Sequence, residues 1–351
     1  MLRYYEKIDG LRFVAIALVL IEHFGRFLDF SAGYYGVDLF FVISGFLITS
    51  ILLRAKDSFW HSYKNFIGRR LLRILPIYYL VILLLLLLQV KEVKANLFSL
   101  FTFTFNYSMV YNEIQSELIT PFWSLCVEEQ FYLFWPFIIL SLNKNHTSLI
   151  IISCLIIVLS FSQMSFGMIE SLNPYNFVGL FTRMGSLSFG ALAALLFNTK
   201  EVSMEFLKNK LVEYSVILII ILSLIITYPI KFLLLACCSF YLVLKVVHSD
   251  FNLVFLNTFL QNRFVLFVGS ISYGIYIYHM PIGYFFSIYV FDPFWLSIDF
   301  TALGFLEKLR WNSWLIKLPL YSGLTILIAF LSSKYIEKPI LKMKDKYFGY
   351  K

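Results

Sequence analysis

Apolar runs follow one another from Leu11 to Ile336, separated by short polar breaks. About 20 apolar residues of helix cross the hydrocarbon core of a bilayer, and the runs approach that length. They predict ten membrane-spanning helices, near residues 11–30, 35–53, 74–90, 122–142, 148–163, 178–197, 212–229, 232–247, 264–290 and 319–336. Stretches such as Val81–Leu88 and Val216–Ile226 are apolar on every side, as expected of helices facing lipid or other helices. The apolar segment 97–111 reads as re-entrant or interfacial. No polar interval could hold a soluble domain, so residues 1–351 read as one all-α integral membrane domain, a polytopic bundle of about ten helices.

Composition agrees with that class. The chain is 60% hydrophobic and 14% charged, against about 45–50% and 25% in soluble proteins. A net charge of +8 would suggest a nucleic-acid partner in a soluble chain. Here the cations cluster in alternate breaks, for instance Arg54, Lys56, Lys64, Arg69, Arg70 and Arg73. A second cluster, from Lys334 to Lys351, ends the chain. Positive residues favour the cytoplasmic side, so both termini are expected in the cytoplasm, with the lipid bilayer as partner and no nucleic acid. The first run follows Arg3 and Lys7 but is too long for a signal-peptide core, and it carries Arg12 and His23, so it reads as retained. Four cysteines without paired spacing give no reason to expect a metal. Trp295, Trp311 and Trp314 with Lys308 and Arg310 mark an interfacial stretch outside the membrane.

Charge within a span costs free energy and marks functional positions. Arg12 and His23 are eleven residues apart, about three turns, which places both on nearly one face of an α-helix, about 16 Å apart along its axis. The bland alternative is a snorkelling anchor and a packed histidine. FWSLCVEEQFYLFWP, residues 122–136, sets Glu128, Glu129 and Tyr132 in an aromatic helix. Adjacent carboxylates diverge by about 100°, so only one easily shares a cavity with His23, and Glu128 is the expected one. Its alternative is a structural ion pair with Arg183. Arg70, Arg73 and Pro76 recur every three residues, a fork suited to phosphate or a purely topological signal. Asp38, Ser44 and Gly45 form a polar notch that could admit substrate or simply pack small residues. His279, in SYGIYIYHMP, is another intramembrane histidine and a candidate substrate-site residue.

Taken together, DGLRFVAIALVLIEH, GVDLFFVISGFLI, RRLLRILPIYY, FWSLCVEEQFYLFWP, SYGIYIYHMP and YIEKP resemble the acyltransferase-3 family of bacterial membrane acyltransferases, from Asp9 to Pro339. The resemblance implies a helical bundle in the cytoplasmic membrane that takes an acyl group from a cytoplasmic donor, commonly acetyl-CoA, to a glycan. The family's Arg-to-His motif falls on Arg12 and His23, its entrance arginines on Arg70 and Arg73, and its glutamate motif on Glu128 and Glu129. Cys126 stands where the family often has Ser, and Glu22 directly precedes the histidine. Some members append an SGNH-type hydrolase domain. This chain reads as the stand-alone form, in which transfer finishes inside the bundle, on a separate transferase partner or in a homo-oligomer.

The expected mechanism uses acyl-CoA as donor substrate and no metal. Arg12, Arg70 and Arg73 hold the donor phosphates, His23 is the general base or an acylated nucleophile, and Glu128 supports it. Asp38, Ser44, Glu129, Tyr132 and His279 contact the acceptor, a glycan or lipid-linked glycan such as O-antigen, capsule or exopolysaccharide. The rival classes are a transporter or flippase for a lipid-linked glycan, whose pathway also needs intramembrane charge, and a structural assembly subunit. No inverted repeat is visible to favour transport.

Overall fold

The computed structural model describes residues 5–25, 32–112, 116–170, 177–199, 203–223, 226, 230–299 and 312–348. Lys308, Arg310 and Trp311, read above as part of an interfacial stretch, lie outside these, as do the ends of the first and seventh predicted spans.

Among the described residues there is no strand. The amino-terminal third holds α1 (Glu6–Leu20), α2 (Ala32–Arg54), α3 (Phe59–Leu87) and three short helices, α4 (Lys91–Ala95), α5 (Leu97–Phe101) and α6 (Phe105–Asn112). Then come α7 (Phe122–Ser141), α8 (His146–Glu170), α9 (Leu180–Asn198), α10 (Lys210–Leu222) and α11 (Ile230–His248). The last part holds α12 (Val254–Leu260), α13 (Arg263–Ser270), α14 (Ser272–Phe286), α15 (Asp292–Leu296), α16 (Trp314–Ser332) and α17 (Lys338–Tyr347). Asn209 and Asn262 start α10 and α13 by accepting the backbone N–H of Leu211 and Phe264. Proline sits inside α3, α7, α14 and α16, which membrane helices tolerate where neighbours satisfy the freed carbonyls.

Among the described residues, six helices are long and apolar enough to cross a membrane, and α13 with the helix that follows, bent by 72°, makes a seventh if counted as one span. The chain is a multi-pass membrane protein. The other predicted spans fall short for identifiable reasons. α1 ends at Leu20 and continues as a π turn over Ile21–Gly25. α7 carries Glu128, Glu129 and Gln130 in mid-helix, and α10 has only 13 described residues. The segment 97–111, read as interfacial, is two short helices joined by a turn.

α2 is the central helix: 72% of its apolar window is buried, against 28% for α8 and 22% for the α16 segment. It lies closely against α9, where a Cβ on Gly45 would overlap the Leu187 carbonyl and one on Gly190 the Val42 carbonyl. Gly45 therefore serves helix packing. Within this contact Asp38 and Arg183 form an ion pair at 3.1 Å with both side chains fully buried. Another buried pair, Lys245–Glu213 at 3.0 Å, ties α11 to α10.

Arg54 Nη2 reaches the Tyr5 hydroxyl at 3.5 Å, and Arg69 Nε donates to the Phe348 carbonyl at 2.5 Å. Both ends of the described chain thus lie at the end of the bundle that carries the first basic loop.

Candidate active site

α1, α2, α3, α7 and α14 line an inner cavity of about 90 Å3, walled by Arg12, Arg70, Arg73, Ser44, Glu128 and Tyr132 and bounded by Ser124 and Tyr276. Arg70 and Arg73 are nearly one turn apart on α3, so both reach it. Arg12 Nη1 donates to Asp9 Oδ1 at 3.1 Å. Glu128 accepts from Ser44 Oγ at 2.9 Å and from the Tyr132 hydroxyl at 3.0 Å. The Arg70 guanidinium lies over the Tyr132 ring, 5.2 Å from its centroid. The cavity is thus a cationic compartment with one carboxylate in its wall, suited to an anion.

Its neighbour is a smaller cavity of about 50 Å3 that shares Val37 and Tyr276 with it and adds Glu22, His23, Tyr34 and Trp123. The Gly33 N–H donates to Glu22. Tyr276 is fixed at the boundary, its hydroxyl 2.6 Å from Ser124 Oγ and 2.9 Å from the Pro121 carbonyl. Beyond it an outer cavity of about 530 Å3 is bounded by His23 together with Phe24, Glu117, Tyr284, Asp292, Trp314 and Lys317. The three spaces stand in series, with Tyr276 between the first two and His23 between the second and third.

His279 lies beside His23, ring centroids 5.0 Å apart and planes at 50°. It is fully buried, its Nδ1 is 2.5 Å from the Tyr276 carbonyl, and its Nε2 has no hydrogen-bond partner among the described residues. A carbonyl only accepts, so Nδ1 carries the proton and Nε2 keeps its lone pair.

The geometry gathers Arg12, Arg70, Arg73, Ser44, Glu128 and Tyr132 into one place and His23 and His279 into another. Arg12 lines the inner cavity and His23 the other two, as their separation along the helix implies. Two expectations are corrected. Glu128 lines the arginine cavity and neither of the spaces that His23 borders. Asp38 bonds Arg183 and Ser186 inside the protein, away from all three cavities, so Arg183 pairs with Asp38 and not with Glu128. Glu129 is buried on another face of α7, its Oε1 without a hydrogen-bond partner among the described residues. The sequence reading missed Tyr276, although its i,i+3 spacing from His279 in SYGIYIYHMP was visible. It also missed Asp292 and Lys317.

Residues 5–334 match the family described as an acyltransferase domain, and the chain belongs to that family of membrane acyltransferases. Among its relatives, the O-acetyltransferase OatA of Staphylococcus aureus is 28% identical over 383 residues, 99% of this chain and 59% of OatA. YrhL of Bacillus subtilis, provisionally named a peptidoglycan O-acetyltransferase, is 28% identical over 370 residues, 96% of this chain and 55% of YrhL. Staphylococcus aureus proteins provisionally named O-acetyltransferases are 27% identical over 374 residues, 97% of this chain and 58% of theirs. The chain thus spans a little over half the length of the curated relatives it matches. No solved structure matches it.

Proposed function

We propose that this chain is a membrane O-acyltransferase that moves an acetyl group from acetyl-CoA to a hydroxyl of a cell-surface glycan. The observation that carries the reading is the series of cavities, in which an arginine-walled space opens through a narrow one onto His23 and a wide outer space. The names of the relatives give O-acetyl transfer, and one of them peptidoglycan. Positive residues put the arginine end, with both termini, in the cytoplasm, the compartment that holds acyl-CoA. Ten spans in a bacterial cytoplasmic membrane are consistent with this orientation.

Arg12, Arg70 and Arg73 hold the donor's phosphates, the guanidinium fork matching their oxygens. Glu128, held by Ser44 and Tyr132, balances their charge when no donor is present. The donor supplies a thioester whose acyl end reaches past Tyr276 towards His23. His23 accepts the proton of the acceptor hydroxyl as its oxygen bonds the thioester carbonyl carbon; the C–S bond breaks and the departing thiolate takes the proton back. His279, with its proton fixed on Nδ1 by Tyr276, offers its Nε2 lone pair beside His23 and holds that ring in the orientation a base needs.

The test is transfer of label from acetyl-CoA to isolated cell-wall glycan by the purified chain in nanodiscs. Label in the glycan, released by mild alkali as acetate, is expected. Glycan that stays unlabelled while the protein carries glycan across vesicle membranes would replace this reading with transport.

A further inference from the structure

The outer cavity is chemically unlike the inner one. Asp292 Oδ1 pairs with Lys317 Nζ at 2.8 Å, and Asp292 Oδ2 accepts from Ser287 Oγ at 2.6 Å. Lys317 Nζ is also 3.2 Å from Ser287 Oγ. The two charges cancel, and both side chains stay open, 25% exposed for Lys317 and 42% for Asp292. Each carboxylate oxygen keeps a free lone pair, and the ammonium keeps one of its three donors. Spare donor and acceptor therefore stand side by side with no excess cation. Trp314 and Tyr284 add flat, partly exposed aromatic faces to the same wall.

We infer that the outer cavity is the acceptor subsite and that it takes a neutral sugar unit through Asp292, Lys317 and Trp314, with no place for a phosphate. A sugar's adjacent hydroxyls each donate and accept, which is what the Asp292–Lys317 pair offers, and its C–H face lies on an aromatic ring. A diphosphate-linked carrier would meet the Asp292 carboxylate beside a lysine that is already paired with it. Anions are thus sorted to the arginine end and neutral polyols to the other, with His23 between them. The inference rests on the reading of His23 as the base, but the binding of the acceptor can be measured without turnover.

The experiment uses the full chain in nanodiscs and saturation-transfer NMR with tetra-N-acetylchitotetraose and with N-acetylglucosamine 1-diphosphate as probes. The neutral oligosaccharide is expected to bind, and the diphosphate to bind no better than the bare sugar. Asp292→Asn and Lys317→Met should each weaken oligosaccharide binding about tenfold while leaving acetyl-CoA affinity unchanged. The swap Asp292→Lys with Lys317→Asp rebuilds the ion pair but inverts its donors and acceptors, so binding should stay weak. Restored binding in the swap would make the pair merely structural and overturn the inference. So would tighter binding of the diphosphate, or no oligosaccharide binding by the wild type. Oligosaccharide binding without acetyl transfer would instead refute the proposed enzyme and leave the subsite standing. Transfer undisturbed by Asp292→Asn would refute the subsite and leave the enzyme.

Discussion

The His23 and His279 rings lie 5.0 Å apart, and the second is locked by a backbone carbonyl into the tautomer that leaves Nε2 bare. The Nδ1 proton of His279 is committed to the Tyr276 carbonyl. His23→Ala is expected to abolish transfer while normal membrane levels and a monodisperse elution profile persist. His279→Phe should lower kcat about 10²-fold, the low end for acid–base groups, without raising the acetyl-CoA KM, and His279→Gln should recover part of the loss through its carbonyl. Equal kcat in His279→Phe and wild type would reduce His279 to packing.

Glu128 stands among cations, so removing its charge should help an anion bind. Glu128→Gln is expected to tighten acetyl-CoA binding several-fold at low salt, an effect that shrinks as screening increases. Donor titration at two ionic strengths reads it. A 10²-fold fall in kcat with unchanged donor affinity would return Glu128 to the partnership with His23 that its sequence position suggested.

Arg73→Lys keeps the positive charge and loses the planar fork. The KM for acetyl-CoA should rise several-fold and that for acetyl-pantetheine should stay put, because only the former carries the adenosine phosphates. Cysteine-accessibility mapping of Arg54–Arg73 should show the same side exposed as in the wild type. If both donors suffer alike, the phosphate assignment is wrong.

Asp38 belongs to stability. Asp38→Ala leaves Arg183 buried and unpaired, at a cost of about 3–5 kcal/mol, and should lower the melting temperature without changing either KM in the protein that remains folded. Replacing both partners with apolar residues, Asp38→Leu with Arg183→Met, should restore most of the loss. A raised acceptor KM in a fully stable Asp38→Ala protein would contradict this.

The helices were legible because lipid leaves so little choice: Val81–Leu88 could hardly be anything but a membrane helix. The arginine cavity was legible in part, since Arg70 and Arg73 announce their shared face by spacing alone. What could not be read was which carboxylate meets which cation. Asp38 and Arg183 are 145 residues apart and meet only because Gly45 and Gly190 let α2 and α9 close up. The outer cavity was equally hidden, since Asp292 and Lys317 become partners through a 25-residue return of the chain. The shared face of Arg12 and His23 was counted at one pitch, and the pitch changes at Ile21–Gly25 before His23 is reached.

That change of pitch has a consequence for how the chain can vary. A π turn is an α-helix holding one residue too many, and both walls of the outer cavity use one, Ile21–Gly25 carrying His23 and Ser287–Phe291 beginning at Ser287. Deleting a single residue from the first would leave a sound, fully hydrogen-bonded helix that inserts and packs, yet with its imidazole swung away from the acceptor. Such a protein would be well made and inert, a fault that no measurement of stability could reveal.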